Sequence, residues 1–512
     1  VTGEGKVGAV RPVHEPKAWR RRLAAGAILA GLAVLLAQRV GEADVCTGIE
    51  AVEGLVVQRM SSHAEWLFPR QNSGQPTFKP PLFHWSAVAL QHALGLAETT
   101  SRSLRLTSGA FALATACATM LLARALLGGD GALLAGLALA ASAQFVGEGR
   151  FGRVDMALTF FETVALAAFV GWLGVRARSA PVARPGAPGG ARRGVAWLYL
   201  LALAMGAAVL TKGPVGALVP GAAIVAFLLF ERRPAELLAM LRPGPLLSGA
   251  LVASAFYAAC WWSGRFEFLQ RQVEWENLRR FSGGLGRMKS WYYAVPILLN
   301  SAPISLLVPW TVLLALLGRI PVRGDEPGGP ERRRAGLRFL AVFWVVTVVF
   351  FSMAAYKRRA YLLPLWPPAA VLLAGWVDSL AVRWRGLAAR RAFAALCAVL
   401  ALVNLFLLPW KERRECRDLS LRPVAADLRA TLAPDESLTL LGLDEEAYAP
   451  LLFYLGREAP LHEGGTLDEA PPGAILLTAD AWRAARPATR GFVEVLSSHH
   501  GAQHMVLLRR AP

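Results

Sequence analysis

The sequence predicts an α-helical polytopic membrane protein: about eleven apolar helices, further helices in the loops on one side, and a small C-terminal α/β domain. Three observations predict it. The chain has 512 residues, 55% of them hydrophobic and only 18% charged, with a mean hydropathy of +0.41. Its apolar residues fall in runs near the roughly 20 residues needed to cross a bilayer. Its basic residues sit in short loops between those runs, the pattern of membrane topology. The net charge of +19 is therefore read as an orientation signal and not as a nucleic-acid footprint, which would gather on one face or stripe.

The runs lie at 23–40, 106–127, 132–147, 156–175, 195–210, 214–230, 246–262, 291–317, 339–355, 361–377 and 392–409. Lys17, Arg20, Arg21 and Arg22 precede the first. "AQRVGEAD" after it is a poor cleavage site, so the reading is an uncleaved first span behind a basic cytoplasmic segment, 1–22. With that end inside, the inner segments hold 25 Lys and Arg against 17 in the outer ones. "RARSAPVARPGAPGGARRG" and "RIPVRGDEPGGPERRRAG" read as inner loops rich in Pro and Gly. The first outer loop, 41–105, contains "LFHWSAVALQHALGL", too short and mixed to span and read as an interfacial amphipathic helix. The spans and this loop make up a transmembrane domain, 23–409. From 410 to 512 the composition shifts. "SLTLLG", "AILLTA" and "MVLLRR" are strand-like, 423–432 and 446–456 helix-like, which predicts an outer, soluble α/β domain.

Five cysteines remain. Cys117, Cys260 and Cys397 fall in or near spans and read as small apolar side chains. Cys46 and Cys416 both fall on the outer side. They form either a disulfide tying the first loop to the terminal domain or two free thiols, because sequence carries no distance.

The polar residues are unevenly placed. On this topology five clusters share the outer face: "EADVCTGIEAVEGLVVQRM" with "TFKPPLFHW", "GRFGRVDMALTFF", "LTKGP", "FLQRQVEWENLRRFSGGLGRMKSWYY" and "YKRRAYLLPLWPP". Asp155 opens a span, although a carboxylate at a bilayer centre costs on the order of 3 kcal/mol. Taken singly, each residue has a structural reading. Asp155 is a helix N-cap or a partner for Arg150 and Arg153. Lys212, Arg279 and Lys357 are interfacial anchors. Glu53 and Glu65 are solvated loop residues, and Trp261, Trp262, Trp291, Tyr292 and Tyr293 belong to an aromatic belt. No histidine spacing suggests a metal site.

"KPPLFHW", "GRFGRVDMALTFF", "LTKGP", "ENLRRF" before "WYY", and "KRRAYLLPLWPP" occur in an order and spacing that resembles the protein O-mannosyltransferase and aminoarabinose (lipid A) transferase superfamily, over about residues 20–410. The resemblance implies a GT-C glycosyltransferase bundle in a bacterial inner membrane, using a polyprenyl-phosphate sugar donor, with a periplasmic C-terminal domain. It implies catalytic acids at Asp155 and at Glu50, where the family's Asp-Glu pair is Ile49-Glu50 here and Asp44 is a displaced alternative. Lys79, Lys212, Arg279, Arg280, Lys357 and Tyr361 match its phosphate- and lipid-binding positions. Arg153 and Arg358, beside Asp155 and Lys357, complete the candidate set. The aminoarabinose transferases bind zinc through a glutamate and a histidine. Phe78 and Asn277 stand in those places, so no metal or other cofactor is expected.

The implied function is inverting transfer of a sugar to a lipid, glycan or protein acceptor. Cations hold the phosphate leaving group and a carboxylate takes the acceptor's proton. The alternatives are a catalytically silent binding or assembly subunit, and a lipid or solute transporter. The latter calls for internal repeats and charges at mid-membrane, and the sequence shows neither.

Overall fold

The computed structural model describes residues 18–72, 75–178, 188–283, 288–321, 329–383, 387–462, 467–469, 473–485 and 491–511. The basic stretch up to residue 17 and the middles of several loops lie outside the described residues. Among the described residues seven helices are long and apolar enough to cross a membrane: Ser101–Ala141, Val154–Arg176, Arg192–Lys212, Pro243–Trp262, Gly329–Met353, Arg359–Leu380 and Leu387–Arg417. The pair Ser290–Leu299 and Ile304–Leu316, bent by 113°, makes an eighth if taken as one span. The other predicted runs have other forms. Ala18–Ala37 is a helix with arginines in its first turn, and Val215–Phe230 has only 16 residues, with Pro220 inside.

The runs 106–127 and 132–147 meet in the 41-residue element Ser101–Ala141, broken at Gly128 with φ 84° and ψ −171°. That conformation favours glycine, and it reverses the chain. A methyl group at Gly136 would stand 2.8 Å from Met120 Sδ, across the two arms. Small residues line the helix contacts, as close packing in lipid requires. Phe169, Phe227 and Phe339 form an aromatic centre with ring centroids 4.5 to 6.0 Å apart. Leu247, Leu251 and Phe406 point outward, each more than two-thirds exposed, as lipid-facing side chains do. Trp261, Trp262 and Trp291 are exposed too, whereas Tyr293 of the predicted belt is buried.

Two buried arginines lock the ends of these helices. Arg150 donates from Nε and Nη2 to Glu412 at 2.7 and 2.8 Å, and from Nη1 to the carbonyls of Leu35 and Gln38. Arg105 does the same for the first loop. It donates from Nε and Nη2 to Glu50 at 2.7 and 2.8 Å and reaches the carbonyls of Val40, Ala43 and Asp44. Buried guanidinium–carboxylate forks of this kind are tolerated because every guanidinium nitrogen finds an acceptor.

The first loop folds into two helices, Gly48–His63 and Leu82–Ala93. The second buries Phe83, His84, Ala87 and Val88 against the first, so the amphipathic segment is partly an internal brace. The last long helix continues through Pro409 to Arg417. Beyond it the strands stand in the order Leu461–His462, Leu438–Leu441, Ala474–Thr478, Gln503–Arg510, Phe492–His500; the first three are parallel and the last two antiparallel. Helices Arg422–Thr431 and Glu445–Leu455 cover the sheet. Val45, Ala51, Val52 and Leu55 of the first loop join the same core as Leu440, Tyr448 and Leu452. The Gly48 N–H donates to Glu446 at 2.6 Å, and Cys46 is bonded to Cys416, with Cα atoms 5.4 Å apart. Loop and terminal sheet therefore form one packed body.

Two outcomes follow. Arg105→Ala strands a buried carboxylate and three carbonyls, and is expected to lower stability by about 3–5 kcal/mol, seen as a fall in the thermal midpoint of the detergent-solubilised protein. In the terminal sheet, Arg509 hydrogen-bonds Glu436 at 2.6 and 2.7 Å and holds its carboxyl below the usual carboxylate range, burial opposing. That pair stabilises the sheet above the unfolded carboxyl's pKa, about 4.3, and the contribution is lost as pH falls through the lower folded value. Glu436→Gln should flatten this acid dependence in unfolding scans, at a neutral-pH cost below about 1 kcal/mol because the pair is partly solvated.

Candidate active site at one end of the bundle

Asp155 lies in the first turn of the helix Val154–Arg178, where the helix dipole favours a carboxylate. It is 5% exposed. Its Oδ1 accepts from Lys212 Nζ at 2.5 Å and its Oδ2 faces Arg153 Nη2 at 3.1 Å. Lys212 is the last residue of its helix, a position where the dipole favours a cation. Gly213 follows at φ 89°, ending the helix and aiming the lysine inward. The ammonium lies 4.7 Å from the Tyr361 ring centre, and that ring stacks on Phe351 at 5.0 Å. Lys79 is close enough to add its charge to those around Asp155; it pairs with Glu276. Residues far apart in sequence thus place three cations around one carboxylate.

Arg153 also pairs with Glu148 at 3.2 Å. Burial works against its charge, but the carboxylates of Asp155, Glu148 and Glu53 together outweigh burial and raise its pKa. Burial pushes the Glu148 carboxyl up, Arg153 opposing. Arg150 takes no part: it points away to Glu412, so the predicted pairing of Asp155 is with Arg153 alone.

The two first-loop glutamates have separate roles. Glu50, expected as a catalytic acid, is fully buried. It accepts two bonds from Arg105 and one from the Gly152 N–H at 2.8 Å. Both its oxygens are committed to these donors, which clasp the first loop to the bundle. Asp44 is further off, bonded to Ser420 Oγ at 2.7 Å and facing Arg422. Glu53, expected in solvent, is 3% exposed. Its Oε2 lies 2.5 Å from His84 Nε2, and among the described residues its Oε1 carries no hydrogen bond. The signal that locates it was present in the sequence: Glu50 and Glu53 share a helix face at i, i+3, among Val52, Val56, Val57 and Met60.

The remaining candidates are less central. Lys357 is buried and donates to the Ala354 carbonyl at 2.5 Å; Arg358 bonds the Tyr356 hydroxyl. Arg279 is half-exposed, paired with Glu274 at 2.8 Å and stacked 3.9 Å over Trp275. The Arg280 side chain lies outside the described residues. Phe78 packs under Arg271, and Asn277 donates to the Gln272 carbonyl. Among the described residues no three His, Cys, Asp or Glu side chains gather as a metal would need. Several buried polar atoms nearby lack partners among the described residues: Arg153 Nε, the Tyr257 hydroxyl and both amide atoms of Gln272. Tyr257 and Asn277 flank Gly213. Unsatisfied donors around a cationic pocket suit a polar, anionic ligand.

Comparison with known proteins bears on this arrangement. Residues 70–265 match the model of the dolichyl-phosphate-mannose-protein mannosyltransferase family. An uncharacterised protein of Aquifex aeolicus is 28% identical over 329 residues, covering 63% of this chain and 57% of that one. The undecaprenyl phosphate-α-4-amino-4-deoxy-L-arabinose arabinosyl transferase of Erwinia tasmaniensis is 30% identical over 237 residues, 44% of this chain and 37% of that one. The chain thus spans about half the length of the curated relatives it matches, or less. Among solved structures, ArnT from Cupriavidus metallidurans bound to undecaprenyl phosphate shares the fold over 96% of this chain and 98% of its own, with a TM-score of 0.74 at 19% identity. The archaeal oligosaccharyltransferase AglB from Archaeoglobus fulgidus shares it over 87% and 64%, with a TM-score of 0.55 at 14% identity. The chain thus shares the fold of these GT-C glycosyltransferase structures end to end, and its sequence is similar to the protein mannosyltransferase family over the stretch that carries Lys79, Asp155 and Lys212.

Proposed function

We propose that the protein transfers a glycosyl group from a polyprenyl-phosphate-linked donor to a hydroxyl on a lipid, glycan or protein acceptor, with inversion at the anomeric carbon. The observation that carries the reading is the buried Asp155 between Lys212 and Arg153, with Lys79 beside them. The donor is a phosphodiester with one negative charge. When its bond to the anomeric carbon breaks, the polyprenyl phosphate leaves with two. A site that gathers fixed cations there stabilises the charge as it develops, and needs no acid for the leaving group. Asp155 orients Lys212 and Arg153 and balances their charge until the phosphate enters.

The acceptor oxygen attacks from the opposite side and must lose its proton. Glu53 is the acid suited to take it: one oxygen is held by His84 and the other is open, while Glu50 and Asp155 have both oxygens engaged. This reading moves the base from Glu50 or Asp155 to Glu53 and keeps Asp155 essential. The isoprenoid tail runs along the apolar helices. The Erwinia tasmaniensis relative is named for an undecaprenyl-phosphate-linked sugar, which supports that lipid class; Phe78 and Asn277 point to a sugar and acceptor handled without zinc. We place the site on the periplasmic side of a bacterial inner membrane. The excess of inner-loop cations, and the Cys46–Cys416 bond on the site's side, which an oxidising compartment favours, support that placement.

The test is reconstitution in proteoliposomes with labelled polyprenyl-phosphate sugars. Labelled product is expected, and Asp155→Asn and Glu53→Gln should each lower kcat by at least about 100-fold without loss of the folded protein. Translocation of the labelled lipid without transfer would instead mark a transporter, and binding alone a silent subunit. A folded Asp155→Asn variant with full rate would remove Asp155 from the machinery.

A further inference from the structure

His84 is the third residue of the helix Leu82–Ala93 and is fully buried. One ring nitrogen, Nε2, meets Glu53 Oε2 at 2.5 Å, and the other, Nδ1, is buried without a partner among the described residues. Phe83 stands edge-on to the ring, centroids 5.8 Å apart. An imidazolium here would bury an unsatisfied N–H on a cation at the positive end of a helix dipole, which is costly on both counts. The neutral ring with its proton on Nε2 leaves only a lone pair unsatisfied and donates its one N–H to Glu53.

The geometry points to His84 as a positioning residue for the acceptor's proton: a neutral imidazole that donates Nε2–H to Glu53 Oε2 and so turns Oε1 toward the chamber as the proton acceptor. This rests on the transfer reaction proposed above. In the step, the acceptor O–H bond breaks and its proton passes to Glu53 Oε1. The acceptor oxygen forms the new bond to the anomeric carbon, and the electron pair of the old bond leaves on the donor phosphate. His84 keeps its proton throughout. Because the ring carries no charge and touches no cation of the phosphate pocket, its role is in turnover and not in holding the donor. It differs in this from Lys212, Arg153 and Lys79, whose loss would weaken donor binding directly.

The test combines kinetics with a spectroscopic reading that does not need turnover. In proteoliposomes His84→Leu is expected to lower kcat about 10-fold or more, the size of one lost charge-assisted hydrogen bond, with KM for the polyprenyl-phosphate sugar changed less than about 2-fold. His84→Gln, whose amide N–H2 reaches toward the same carboxylate oxygen, should recover most of the rate. In a Glu53→Gln background His84→Leu should cost nothing further, because the two residues act as a unit. A merely structural histidine would lower stability and rate in both backgrounds and show no recovery with Gln; that result would overturn the assignment. Solid-state NMR of protein labelled with 15N-imidazole, with the His84 signal identified by its loss in His84→Gln, should show a neutral ring protonated at Nε2. A ring protonated at Nδ1 or at both nitrogens would also overturn it. If the wild-type protein transfers no sugar while the NMR shows the Nε2–H ring, the reaction reading fails and the Glu53–His84 hydrogen bond stands.

Discussion

The arrangement of this protein depends on the buried fork between Arg105 and Glu50. Arg105 stands near the start of a long membrane helix, Glu50 on the first-loop helix, and the N–H of Gly152 on the turn before Asp155. Three segments far apart in sequence meet at one carboxylate. Because the group is out of water, any looser geometry leaves a charge uncompensated, so the fork holds the loop helix in one register against the bundle. Glu53, one helical turn further along, is set in place by the same constraint.

Three acids near the site differ in environment and so in chemistry. Glu50 is saturated with donors and is structural. Asp155 is held between cations and keeps them close together despite their mutual repulsion. Glu53 has one oxygen bonded to His84 and, among the described residues, no hydrogen bond to the other. Two tightly paired acids and one loosely paired acid suit the division of labour proposed above, with charge held in one place and a proton accepted in another. Among the described residues, Arg153 Nε and the Tyr257 hydroxyl are buried without a partner, which suits a polar ligand.

The terminal sheet is more than an appendage. Its helix Glu445–Leu455 packs on the face of Gly48–His63 that turns away from the site, its core takes in Val45, Ala51 and Val52, and the Cys46–Cys416 bond closes the same contact. The acid-bearing helix is therefore braced from both sides, by the bundle through Arg105 and by the sheet through apolar packing. Short site segments on rigid supports keep their geometry better than free loops do.

Much of this was legible in the sequence. Apolar runs of spanning length define the helical class, because burying a backbone in lipid leaves few other structures. The strands near Leu438, Ala474 and Gln503 show in their apolar stretches, while Phe492–His500, an edge strand with mixed polarity, does not. Asp155 and Lys212 stood out because charges at span ends need a reason, and Lys79 through the resemblance of "KPPLFHW". Which acid is open and which is clasped was decided only in three dimensions. Glu50 and Glu53 look alike in sequence, and so do Arg150 and Arg153. Their partners, Arg105, His84, Glu412 and Asp155, come from distances that one-dimensional spacing does not encode. Charge type is a local property of the chain, and charge pairing is a property of the fold.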